Sequence, residues 1–294
     1  MEIIHLRHSE IDFERWDKAI ASSQNELIYA YSWYLNCVSP GWEALISGSY
    51  EYIMPLPVKK RYGFSYVVQP ALTQQCGIFS SNFLSNETVE QFIGAIPYIS
   101  YELNLNESNL AYKYPKRPNL ILELDSPYKR LYSNFSSNTK RNIIKANSFS
   151  LTTDLDLSVN DFLRFYYNHE KNYSLPDKKI VENLINKATE LGKIRIFGVR
   201  NSANEIISVL GLLISDDRLI YLLPSSNIEG KDKSAMFLLL NEIIKNNAQS
   251  NRVLDFEGSA IEGVARFYKG FGAKLVYYNV VKRFRPKIFK QIKK

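Results

Sequence analysis

Cysteine is nearly missing: 294 residues contain two, Cys37 and Cys76. Two thiols outside any pairing motif build neither a disulfide framework nor a zinc site, and a reducing compartment is expected. Histidine is as scarce, and His5, His8 and His169 show no metal-ligand spacing. A His-based metalloenzyme is set aside, and no metal is expected. Long apolar runs are missing too. No stretch approaches the roughly 18 residues a spanning helix needs. The N-terminus, MEIIHLRHSE, carries charge where a signal peptide needs an apolar core. A soluble, cytoplasmic protein is therefore expected. Acid is short relative to base, 30 Asp+Glu against 37 Lys+Arg, which leaves a net charge of +7. That balance favours anionic partners (phosphate, nucleic acid, acidic membrane) and says nothing about fold.

What the chain does have is enough to build cores: 45% hydrophobic residues, including 20 Tyr and 16 Phe. Its length suggests two domains. The stretch Arg252–Ala273, RVLDFEGSAIEGVARFYKGFGA, organises the rest. An apolar strand delivers Asp255 and then Glu257 to one sheet face, because side chains alternate along a strand. Gly258-Ser259 turns the chain into a helix bearing Arg266, Phe267 and Tyr268, which Gly270 and Gly272 stop. Two carboxylates on one face beside a tyrosine suit proton transfer. They equally suit a structural ion pair and a packed ring.

In chain order, the first part reads strand, two helices, a hairpin turning at Gly48-Ser49, strand, helix, strand. Pro55 and Pro57 place the end of the second hairpin strand, Tyr50–Lys59, at a sheet edge. The loop Pro70–Ser80 holds Thr73, Gln74 and Gln75. These uncharged side chains either read a peptide or sugar or satisfy a buried loop. A polar connection with Pro115 and Pro118 follows, and the domains are expected at 1–117 and 118–294. A helix over Asn138–Asn147 carries Lys140, Arg141 and Lys145 without an acid. It is either an anion site or a solvated face. From Ser150 the order is strand, two helices, three strands, a helix over Lys231–Asn247, strand, helix, strand.

That order resembles the GNAT acyltransferase fold, here as an α/β pair of GNAT-like domains in tandem, each a mixed central sheet flanked by helices. Arg266-Phe-Tyr-Lys-Gly-Phe-Gly-Ala273 is similar to the motif that closes the fold in the FemAB/BioF2-like branch. Ser136-Ser-Asn-Thr-Lys-Arg-Asn-Ile-Ile-Lys-Ala146 resembles the helix at the head of that branch's second domain, and Ile53-Met-Pro-Leu-Pro-Val-Lys-Lys60 a central strand of its first. The resemblance implies N-acyl transfer, from acyl-CoA or aminoacyl-tRNA to an amine acceptor such as a wall or envelope precursor. It implies Glu257 or Asp255 as base or amine anchor and Tyr268 as acid.

GNAT enzymes cradle a CoA pyrophosphate in a glycine-rich turn. The matching loop here, Pro224–Ala235, offers one glycine, Gly230, with Lys231, Lys233 and Ser234, and also Glu229 and Asp232. Gln74, Gln75, Lys140, Arg141 and Arg266 are the candidate acceptor contacts. The tail Lys282–Lys294, KRFRPKIFKQIKK, interleaves basic and apolar residues and suits an anionic membrane surface or tRNA. A frayed, solvated end is the other reading. The weak phosphate loop keeps a second function open, a non-catalytic module of this fold that grips a peptide, sugar or lipid head group. RNA binding alone is the third.

Overall fold

The computed structural model describes residues 1–109, 111–168, 175–258 and 261–284. His169, Ser259 and the tail beyond Phe284 lie outside the described residues. Contacts divide the chain into two compact units, Met1–Arg117 with Tyr277–Lys294, and Pro118–Val276. The sequence alone assigned everything after residue 117 to the second domain. Contacts return Tyr277 onward to the first.

Unit 1 contains β1 (Ile4–Leu6), α1 (Phe13–Ala21), α2 (Ser32–Val38), β2 (Glu43–Ser47), β3 (Tyr52–Leu56), β4 (Val58–Arg61), β5 (Phe64–Val68), β6 (Phe79–Ser80), α3 (Asn86–Gly94) and β7 (Tyr101–Asn104). Asp12 starts α1 by accepting the Arg15 N–H, and Ser85 starts α3 by accepting that of Thr88. One antiparallel sheet runs β1-β2-β3-β6. In the other, β4 pairs antiparallel with β5, and β5 parallel with β7. The expected long strand Tyr50–Lys59 is thus two strands. Pro57 has no N–H to donate, and the chain changes sheets there. Only β4 lies at an edge, while β3 sits between β2 and β6. Leu45, Met54, Leu56, Phe92 and Leu103 belong to the core of this unit.

Unit 2 takes in most of β8 (Lys116–Glu123), then α4 (Tyr128–Ser133), α5 (Ser137–Asn147), β9 (Thr152–Asp154), α6 (Val159–Asn168), α7 (Lys178–Glu190), β10 (Ile194–Arg200), β11 (Ile206–Ile214), β12 (Arg218–Ser226), α8 (Ile228–Asp232), α9 (Ala235–Asn246), β13 (Val253–Asp255) and α10 (Glu262–Gly270). The last strand, β14 (Lys274–Arg283), starts here and ends in unit 1, where Val280–Arg283 pair with β7. The sheet order in unit 2 is β8-β13-β12-β11-β10-β9. It is antiparallel except between β12 and β13. The expected helix Lys231–Asn247 is broken, because Ser234 adopts a left-handed conformation (φ 58) between α8 and α9. Leu239, Ile243, Leu254, Phe256 and Phe271 are among the side chains of one core.

Candidate active site

β12 and β13 pair over Arg218–Ile220 and Val253–Asp255 only. β13 then ends, while β12 runs on to Ser226 through a bulge at Leu223 (φ 55) and Pro224. Two parallel strands that part in this way leave a corner at the carboxyl end of β13, and the sequence put Asp255, Glu257 and Tyr268 there. Asp255 is fully buried. Its Oδ2 pairs with the Arg218 guanidinium at 2.5 Å, and its Oδ1 accepts the Glu257 N–H at 2.8 Å. Burial of a lone carboxylate is costly, and these two bonds make it tolerable. Asp255 is therefore a positioning residue for the corner.

Glu257 follows in a left-handed conformation (φ 56) that a residue with a Cβ rarely adopts. It is half-buried, the most accessible of the three candidates. Gly258 continues left-handed (φ 60), and a Cβ there would lie 2.6 Å from the Pro118 carbonyl oxygen. Tyr268 is buried, with its ring stacked on Phe256 at 4.6 Å and edge-on to Tyr221 at 5.6 Å. Asp255 and Glu257 thus lie at the corner at graded depth, and the Tyr268 ring lies in the core with Phe256 and Tyr221.

Gly230, Lys231, Lys233 and Ser234 gather at a second place. A cleft of about 740 Å³ is lined by Asn168, Ser226, Asn227, Glu229, Lys231 and Lys233, among others. Gly230 packs so closely on β11 that a Cβ would collide with the Ile207 carbonyl. Its N–H is held by the Asn227 side chain at 2.8 Å. Glu229 takes Lys233 Nζ at 2.7 Å and Asn201 Nδ2 at 3.0 Å. Hydrogen bonding from Lys233, then from Asn201, holds the Glu229 carboxyl below its ordinary value. The turn's own side chains therefore use donors that a pyrophosphate would need.

The remaining candidates are spread out. Lys140 Nζ donates to the Ser133 carbonyl at 2.9 Å, and Arg141 is exposed on α5. Arg266 is exposed and paired with Glu262 one turn earlier at 2.8 Å. Gln74 and Gln75 belong to unit 1. Gln75 is fully buried, donating to Gln74 Oε1 at 2.9 Å and accepting the Glu107 N–H at 3.0 Å. These bonds are the loop-satisfying arrangement.

Three contributors were missed in the sequence: Arg218, Asn227 and Asn142, whose Oδ1 accepts from Ser234 Oγ at 2.7 Å. Asn227 carried a readable signal, since an Asn three residues before Gly230 caps a helix start. The other two act across the fold. Two of the three motifs behind the resemblance also meet: the Ser136 N–H donates to the Gly270 carbonyl at 2.8 Å. A Cβ on Gly270 would collide with Thr139 Oγ1.

Among the described residues, no group of three or more His, Cys, Asp or Glu is arranged to hold a metal ion. No protein-family model and no curated protein matches the sequence. Solved structures do resemble it. FemX superposes with a TM-score of 0.71 at 13% identity, covering 99% of both chains. L-PGS from Bacillus licheniformis gives 0.53 at 10% identity, over 85% of this chain and 87% of that one. A tandem GNAT protein from the clavulanic acid pathway, solved without acetyl-CoA, gives 0.53 at 9%, over 96% and 98%. With strands parting above an ordered acidic corner and this likeness along almost its whole length, the chain has the tandem GNAT fold of FemX.

Proposed function

We propose that the protein is an N-acyltransferase that moves an acyl or aminoacyl group onto an amine acceptor, such as a wall or envelope precursor. The observation that carries this reading is Glu257. It is a half-buried carboxylate held in a strained left-handed conformation, locked by Asp255 on one side and by the Gly258 approach to Pro118 on the other. In this reading the amine attacks the acyl carbon while Glu257 accepts its proton, and the leaving oxygen or sulfur takes a proton from Tyr268.

The filled turn at α8 weighs against a CoA pyrophosphate and toward aminoacyl-tRNA as donor. Lys231 is the cation lining that cleft for which no carboxylate partner occurs among the described residues. A non-catalytic binding module is the second reading, and the burial of Asp255 and Tyr268 supports it.

Thermal shift and acyl-transfer assays on the wild type, Glu257→Gln and Tyr268→Phe separate the two. Donor at about 100 times its Kd adds roughly 2.7 kcal/mol of stability. Catalysis predicts that Glu257→Gln keeps donor binding and loses about 10²- to 10⁴-fold in rate. No turnover with any donor tried, or full activity in Glu257→Gln, sinks the reading.

A further inference from the structure

Outside the candidate site, the most unusual exposed surface is the β4–β5 hairpin of unit 1. Lys59, Lys60, Arg61, Tyr62, Gly63 and Phe64 are all exposed, Tyr62 by 77% and Phe64 by 54%. Arg61 pairs with Phe64 across the two-residue turn. The turn residues both have positive φ, 52° at Tyr62 and 79° at Gly63, the geometry of a type I′ hairpin. Gly63 suits that geometry. Tyr62 does not, since Asn, Asp or Gly is preferred at the first position and a bulky ring there costs about 1 kcal/mol or more.

The ring is largely solvent-exposed, and its contact with the neighbouring Arg61 guanidinium, 5.2 Å from the ring centroid, is of the exposed kind worth about 0.5–1 kcal/mol, which does not exceed that cost. Lysines on β4 have a structural explanation, as charge on an edge strand discourages strand addition. Aromatic side chains at the tip work against that same protection. The segment Val58–Val68 also contains no acidic residue.

We propose that this hairpin tip is a docking element for an anionic lipid surface. Tyr62 and Phe64 would seat at the boundary between headgroups and acyl chains, with Lys59, Lys60 and Arg61 on the phosphates. Amphipathic rings favour that depth, and cations near an anionic bilayer add to binding singly. The inference does not depend on catalysis in unit 2.

The test uses the full-length protein and flotation with vesicles of equimolar phosphatidylglycerol and phosphatidylcholine, against phosphatidylcholine alone. The protein is expected to float with the anionic vesicles only and to be released as salt rises. Replacing Lys59, Lys60 and Arg61 by Gln is expected to weaken binding by about fivefold per cation.

Tyr62→Asn with Phe64→Ser is expected to abolish flotation. Asn is easier on the left-handed backbone, and the double variant is expected to keep the melting temperature of the wild type, a measurement that tells loss of fold from loss of docking. In a separate measurement, Tyr62→Trp fluorescence is expected to be quenched by bromine-labelled acyl chains. Equal binding to neutral vesicles overturns the inference, as does undiminished flotation of the double variant or an unquenched Trp. So does retention of tRNA, but not vesicles, by the same three cations.

Discussion

Glu257 and Gly258 are adjacent residues that both take a left-handed backbone. A β-carbon at Gly258 meets both an unfavourable φ of 60° and the Pro118 carbonyl at 2.6 Å. Gly258→Ala is therefore expected to cost about 1–3 kcal/mol, seen as a lower urea midpoint at unchanged slope. Glu43 in unit 1 offers a pH test. Burial pushes its carboxyl up, but hydrogen bonds from Tyr98, Arg7 and His5 outweigh burial and hold it below the ordinary value. A carboxyl depressed on folding contributes stability above its unfolded value, about pH 4, and that contribution is lost as pH falls through the folded value. Glu43→Gln should flatten the acid limb of a stability–pH curve; an unchanged limb would remove Glu43 from its cause. At this scale Asp255 was legible as the acid closing an apolar strand, whereas Glu257 lies beyond β13 with a left-handed backbone, so strand alternation does not set its direction. Arg218 was not legible, because it meets Asp255 across 37 residues through a parallel strand pair.

At the scale of elements, punctuation was read better than continuity. Short polar residues before apolar periodicity suggest helix starts at Ser9 or Asp12, at Ser85 or Asn86 and at Ser136 or Ser137, and it is Asp12, Ser85 and Ser136 whose side chains accept the backbone N–H groups. The helix over Lys231–Asn247 read as unbroken because its apolar stripe continues, and nothing in Lys-Ser-Ala announces a left-handed Ser234. Gly230 in α8 gives a prediction of reversed sign. Glycine to alanine in an exposed helix interior stabilises by up to about 1 kcal/mol. Here the added carbon would run into the Ile207 carbonyl. Gly230→Ala is expected to destabilise, and a raised melting temperature would show that α8 lifts off β11 freely.

For the molecule as a whole, the tandem arrangement was visible from element order, but the ownership of the last strand was not. β14 reads as one more strand following α10, and only its pairing with β7 assigns its second half to unit 1. Every tryptophan (Trp16, Trp33, Trp42) and both cysteines fall in unit 1. Tryptophan fluorescence therefore reports that unit selectively. A chain ending at Val276 is expected to lose its fluorescence transition at lower denaturant than the full chain, because β7 keeps β5 but loses its other partner, β14; coincident transitions would contradict this. Burial pushes the Cys76 thiol up to about 12. It should resist alkylation at neutral pH until unit 1 opens.

The same strand sets a schedule on the ribosome. Residues 1–117 are made before unit 2, yet the segment that completes their sheet is made after it. At about 5–20 residues per second, synthesis of the intervening stretch takes roughly 8–30 s. Throughout that interval Leu103, Met54 and Phe92 belong to a core still without Val281. Unit 2 is thus complete before the strand that closes the sheet of unit 1 has been made.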